Sequence, residues 1–167
     1  MTTLTSSAPA ASQRDRLIVI AGAVAGGAVL LAFTRGVVGG MAIGSSMHGT
    51  WLVLHLLSVI PALPLGAYVL LRRKGDALHR MLGRMWAGLM VVAALSSLGL
   101  RGMTGGFSAI HLLSILVLVM IPRGIVQAVR HDIVAHRRTM SLTYLGLAAA
   151  GLFSLLPGRL LGTWLFG

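Results

Sequence analysis

Five apolar stretches follow one another along the chain, at residues 17–34, 50–71, 82–100, 107–129 and 140–156. Each approaches or exceeds the roughly 17 to 25 residues a helix needs to cross the hydrocarbon of a bilayer. The connectors between them are too short to fold separately. Lipid offers no hydrogen bonds, so a spanning segment must satisfy its own backbone, which a helix does within one piece of chain. The expectation is an all-α membrane protein with five transmembrane helices, residues 17–167 forming one helical domain. Residues 1–16, opening on a Ser-, Thr- and Ala-rich run, are expected to be a disordered cytoplasmic tail. A cleaved signal peptide at the first stretch is the alternative to an uncleaved anchor. Composition agrees: only 10% of residues are charged and mean hydropathy is +0.90, against about 25% charged in an ordinary soluble domain.

The net charge of +11 comes from 14 Lys and Arg against three Asp and Glu. If the spans alternate, Arg14, Arg16, Arg72, Arg73, Lys74, Arg80, Arg84, Arg123, Arg130, Arg137 and Arg138 fall on one side, and only Arg35, Arg101 and Arg159 on the other. The excess of basic residues on the cytoplasmic side of membrane proteins places the N-terminus inside and the C-terminus outside a bacterial-type inner membrane. This asymmetry accounts for the charge without nucleic acid. Trp51, Trp86 and Trp164 lie near predicted span ends, as an interfacial aromatic belt would have them.

An internal repeat changes the meaning of every residue in it. His55-Leu56-Leu57-Ser58 recurs as His111-Leu112-Leu113-Ser114, and each histidine is followed 21 residues later by an aspartate, Asp76 and Asp132. Each aspartate precedes a His-Arg pair, His79-Arg80 and His136-Arg137. A duplicated helix pair, spans two to five, is therefore expected to form a four-helix core with a pseudo-twofold axis along the membrane normal. His55 then faces His111 in the outer leaflet, and His79 faces His136 near the cytoplasmic boundary, with Asp76 and Asp132 as N-caps.

Paired histidines on facing helices of a bundle are the usual way to hold a b-type haem by both axial positions. Two pairs predict two haems, with a single outer haem as the fallback. Gly83 and Gly88 are expected to give close approach, and Ser58 and Ser114 lie one turn from the outer pair. Arg80, Arg84, Arg137 and Arg138 surround the inner pair, while Arg101 or Arg35 is available at the outer face for propionate contacts. The bland readings stay open: His55 and His111 as hydrogen-bonded bundle residues, His79, His131 and His136 as basic connector residues, and His48 as an interfacial residue. Pro61, Pro64 and Pro122 are expected to kink their helices, with or without functional consequence.

At these four histidines the sequence resembles the ascorbate-reducible transmembrane cytochromes b, whose core helices contribute one histidine each at alternating faces. That resemblance implies His55 and His111 as ligands of an outer haem, and His79 and His136 of an inner one, in a membrane oxidoreductase. The run His79-Arg80-Met81-Leu82-Gly83-Arg84, with Ala135-His136-Arg137-Arg138 later, is also similar to an uncharacterised bacterial family of predicted membrane proteins with an H-R-x-x-G-R connector. It covers about 47–156 and implies a four-helix core with no settled activity.

Electrons would pass between a small redox donor or quinone and an acceptor across the membrane. Two rivals remain. Met41, Met47, His48 and Met103, with His55 and His111, offer thioether and imidazole to copper. Alternatively the chain is a cofactor-free accessory subunit of a larger membrane complex, or a homo-oligomer. With no cysteine, and only Asp15, Asp76 and Asp132 as carboxylates, hydrolysis and a carboxylate proton relay are disfavoured.

Overall fold

Two turns of the same design set the core's helix boundaries. The computed structural model describes residues 13–38, 47–100 and 109–166. Its helices are α1 (Gln13–Val38), α2 (Met47–Leu71), α3 (Ala77–Leu98), α4 (Ala109–Val129), α5 (Ile133–Ser154) and a short α6 (Leu160–Phe166). Before α3, Gly75 has φ 87° and is followed by Asp76, whose side chain accepts from the His79 backbone N–H. Before α5, His131 has φ 59° and is followed by Asp132, which accepts from the Ala135 N–H.

The second turn also ends α4, through bonds from Asp132 N–H to the Gln127 carbonyl and from His131 N–H to the Ala128 carbonyl. That pattern is a Schellman motif with histidine where glycine is usual. Gly75 and Asp76 precede His131 and Asp132 by the same 56 residues that separate His55 from His111. Both aspartates are thus the expected N-caps, and the duplicated pair is visible in its turns as well as in its text.

Four helices are long and apolar enough to cross a membrane, over 16–38, 49–71, 77–98 and 111–129. The fifth stretch lies in α5, which is as long as α3 at 22 residues but is diluted by Arg137 and Arg138 and by Thr139, Ser141, Thr143 and Tyr144. The last four are buried. Hydropathy counts them as if they met lipid, whereas they point into the protein. No strand occurs among the described residues.

Helices α2 to α5 close into a ring: α2 packs most extensively on α3, α4 on α5, and the ring is completed by α3 on α4 and α2 on α5. That leaves α2 opposite α4 and α3 opposite α5, as the pseudo-twofold requires. Helix α1 packs against α2 and α5, and α6 against α1. Polarity is inverted relative to a soluble domain: Leu112, Val129 and Val134 are exposed, while Ser58, Ser96, Ser97, Ser114 and Thr143 are buried. The hydroxyls are satisfied locally, for instance Thr143 on the Thr139 carbonyl at 2.9 Å and Ser58 on that of Leu54 at 2.7 Å.

The centre is filled by Trp86 and Tyr144, with ring centroids 6.5 Å apart. Trp86 Nε1 donates to the Ala62 carbonyl at 3.0 Å and the Tyr144 hydroxyl to that of Leu63 at 3.1 Å. Both rings need glycine beside them. A Cβ on Gly66 would lie 2.4 Å from Trp86 Nε1 and 2.7 Å from Tyr144 Cδ2, and one on Gly22 would overlap the Tyr144 hydroxyl. Trp86 is therefore a core residue, 3% exposed, and not part of an interfacial belt; Trp51 is partly exposed at the start of α2. Pro61 and Pro64 lie inside a continuous α2, and Pro122 inside α4.

Candidate functional site

The outer histidines meet α3 on two sides of one step of chain. His55, on α2, donates from Nδ1 to the Ala93 carbonyl at 2.9 Å, with the Ser96 hydroxyl 3.4 Å from the same nitrogen. His111, on α4, is 2% exposed. One turn along from it, Ser114 is hydrogen-bonded to Ser97. Adjacent serines of α3 thus tie together the two helices that carry the outer pair, at a common depth. With Nδ1 committed to a carbonyl, the tautomer of His55 is fixed and Nε2 keeps its lone pair, the arrangement that orients an imidazole ligand.

The inner pair repeats half of this design. His136 donates from Nδ1 to the Gly124 carbonyl of α4 at 2.7 Å. A Cβ on Gly124 would meet the far end of the Met140 side chain. His79 lies within electrostatic reach of His136, Arg72 and Lys74, yet its Nδ1 is buried with no hydrogen-bond partner among the described residues.

The caps reveal a slip between the two copies. Asp76 caps at His79, whereas Asp132 caps at Ala135. His136 is therefore one residue past the position equivalent to His79, about 100° further round its helix. The inner pair is thus not equivalent in register.

Arg80, Arg84, Arg137 and Arg138, expected around the inner pair, are exposed, and Arg80 bonds the Gly75 carbonyl at 2.6 Å. The cation drawn inward is Arg72, whose side chain is only 13% exposed. It holds Asp76 at 2.6 Å through Nη2, while its Nη1 is buried without a partner. The His79 backbone N–H and the Arg72 guanidinium together hold the Asp76 carboxyl below the usual carboxylate range. Arg35 serves α6, bonding the Leu165 carbonyl at 2.6 Å, a C-terminal cap rather than a contact of the outer pair.

Gly83 and Gly88, expected to leave room for a ring beside span three, border open space: a Cβ would touch only Val69, at 4.0 Å, in the first case and nothing in the second. Arg101, Met41 and Met103 lie outside the described residues, as do the side chains of Met47 and His48. Among the described residues no three His, Cys, Asp or Glu side chains gather to hold a metal ion. Sequence reasoning missed Arg72, Gly66, Gly124 and Gln127, whose Oε1 is buried without a partner at the inner end of α4. The 56-residue offset, applied to the caps, was the available signal for the register slip.

The donor set, one imidazole of each pair oriented by a backbone carbonyl, is of a kind that could hold a haem. His55 and His136 each direct Nδ1 to a backbone carbonyl of the neighbouring helix, and their proposed partners His111 and His79 stand on the opposite helices of the ring.

A family model described as "Predicted membrane protein (DUF2306)" matches residues 52–162. The match takes in nearly all of α2 and the whole of α3, α4 and α5, while leaving out α1. No curated protein and no solved structure matches the chain.

Proposed function

This chain belongs to the DUF2306 family of predicted membrane proteins, and we propose that it is a transmembrane electron carrier holding haem b between paired histidines. His55 and His111 hold the outer haem; His79 and His136 hold the inner one. A haem so held supplies a reversible one-electron centre in a dry bundle. In this reading α5 is a fifth span, the N-terminus is cytoplasmic, and the basic end of the bundle faces the cytoplasm of a bacterial-type inner membrane. A quinone or similar small redox molecule in the bilayer exchanges electrons with the chain.

The observation that carries the reading is the matched pair of Nδ1 to carbonyl bonds, His55 to Ala93 and His136 to Gly124. A carbonyl accepting from Nδ1 fixes the tautomer and leaves the lone pair on Nε2, the arrangement in which histidine ligates a metal. Burial of His111 adds support, because an ionisable residue inside a membrane bundle carries a functional presumption. The chain's residues orient the imidazoles, exclude water through the Trp86 and Tyr144 packing, and keep the two histidine layers apart.

The test is the haem content of His55→Ala and His111→Ala proteins purified in detergent. Each is expected to lose the outer haem and keep the inner one, leaving about half the haem per chain, as separate bis-histidine sites require. Full haem retention in both variants would end the assignment of the outer site.

A further inference from the structure

We infer that the arginine-rich end of the bundle is a docking surface for anionic phospholipid headgroups, with Arg84, Arg123 and Arg138 each holding a lipid phosphate. The inference does not rest on the paired-histidine reading. All three residues are exposed and lie within their helices rather than in the connecting turns. Arg84 is seven residues past the start of α3, Arg138 five past the start of α5, and Arg123 six before the end of α4. At the rise of an α-helix, this sets them about 8 to 10 Å in from those helix ends.

Each arginine interrupts an apolar stripe that faces outward. On α3, Arg84 lines up at helical spacing with Gly88, Val92 and Leu95, all exposed. On α4, Arg123 falls in line with Leu116, Val119 and Val126, and these too are exposed. On α5, Arg138 shares its face with Val134, Leu142 and Leu145, exposed in the same way. In a membrane protein such stripes are the faces that meet acyl chains. Cations in spanning segments ordinarily turn to the bundle interior, because hydrocarbon solvates charge poorly. These three turn the other way.

Counter-charge from the protein does not suffice for them. The chain has three acids. Asp76 is bonded to Arg72 and to the His79 N–H, and Asp132 to the Ala135 N–H. Asp15 is at the start of α1, which packs on α2 and α5, and one carboxylate cannot serve three helices. Among the described residues, Arg72 with Asp76 is the one ion pair. A lipid phosphate is the counter-charge within reach: an arginine lays its stem along apolar surface and puts its head at the interface, where phosphate accepts two parallel hydrogen bonds. Side chains lean toward the N-terminus of their helix, so Arg84 and Arg138 lean toward this end, while Arg123 must curl back to it. Arg73, Lys74 and Arg130 add exposed cations there, so a headgroup with net negative charge fits better than a zwitterionic one.

The experiment is native mass spectrometry of the full-length protein in detergent, equilibrated with equimolar phosphatidylglycerol and phosphatidylcholine of the same acyl chains, which counts each lipid retained. Phosphatidylglycerol is expected to be retained over phosphatidylcholine by about fivefold, the effect of one interfacial cation on an anionic lipid. Arg84→Gln, Arg123→Gln and Arg138→Gln together bring the ratio near parity, whereas Arg123→Lys, which keeps the charge, preserves most of the preference. Arg73→Gln with Lys74→Gln, in the α2 to α3 turn, lowers the ratio by less than the triple variant. Inorganic phosphate, added at constant ionic strength, leaves the ratio unchanged, because the acyl chains hold the lipid against the apolar stripes.

Equal retention of the two lipids by the wild-type protein would overturn the inference. So would a triple variant that keeps the preference, a turn variant that abolishes it, or displacement of the lipid by inorganic phosphate, which would make this a site for a free anion. If the triple variant does not fold, the three single Gln variants decide: each is expected to lower the ratio, and wild-type ratios in all three would overturn the inference equally.

Discussion

Gly66→Ala is expected to weaken the bundle severely, with a fall in thermal midpoint that Gly88→Ala does not show. At Gly66 the new methyl would lie 2.4 Å from Trp86 Nε1 and 2.7 Å from Tyr144 Cδ2. Neither ring can step aside without giving up its bond to the α2 backbone, from Nε1 to Ala62 or from the hydroxyl to Leu63. Overpacking of a filled core costs about 1–3 kcal/mol, and a buried donor left without its acceptor adds about 1–3 kcal/mol. Gly88 meets nothing within 4 Å, so alanine there gains about 1 kcal/mol or less of helix propensity.

Tyr144→Ala should match the Gly66 defect from the other side, because emptying a buried aromatic site costs about 3–5 kcal/mol. Thermal unfolding of the three variants in one detergent checks the set. Equal midpoints for Gly66→Ala and Gly88→Ala would show that the central aromatic packing is not as described.

The second large effect concerns register. Moving the inner histidine back to the strict repeat position, with Ala135→His and His136→Ala together, should remove the inner haem as completely as His136→Ala alone. The displaced ring would be turned by about 100°, away from the Gly124 carbonyl and from the ring of His79. Haem per chain should fall to about half that of the wild type, as for any loss of one of two bis-histidine sites. A double variant with full haem would mean that the backbone near Asp132, not the ring position seen here, decides where the ligand stands.

Much of this architecture was legible in the sequence because lipid simplifies the physics. Long apolar runs can only be helices, and the two aspartates 21 residues after paired histidines announced their helix starts. What stayed hidden depended on which way a side chain faces. In α5 the polar residues Thr139, Ser141 and Thr143 are turned inward, an orientation that hydropathy does not read. Trp86 looked interfacial because it lies near the start of its apolar stretch, yet it is buried and bonded to α2.

The open space at Gly83 and Gly88 and the tight fit at Gly66 are both set by how the helices pack, which the text does not show. Arg72 was one cation among several in text, and only the α2 to α3 turn shows that it is the one folded inward onto Asp76. The single-residue slip of His136 was available in the spacing of the caps, but a search for matching His-Arg pairs passes over it.

The central claim is that the two histidine layers hold haem. A dithionite-reduced minus oxidised visible spectrum of the detergent-purified protein, with haem and protein quantified on the same haem-supplemented sample, tests it most directly. The account predicts a sharp low-spin b-type signal at about two haems per chain, as two bis-histidine sites require. A well-folded protein with no such signal would contradict it.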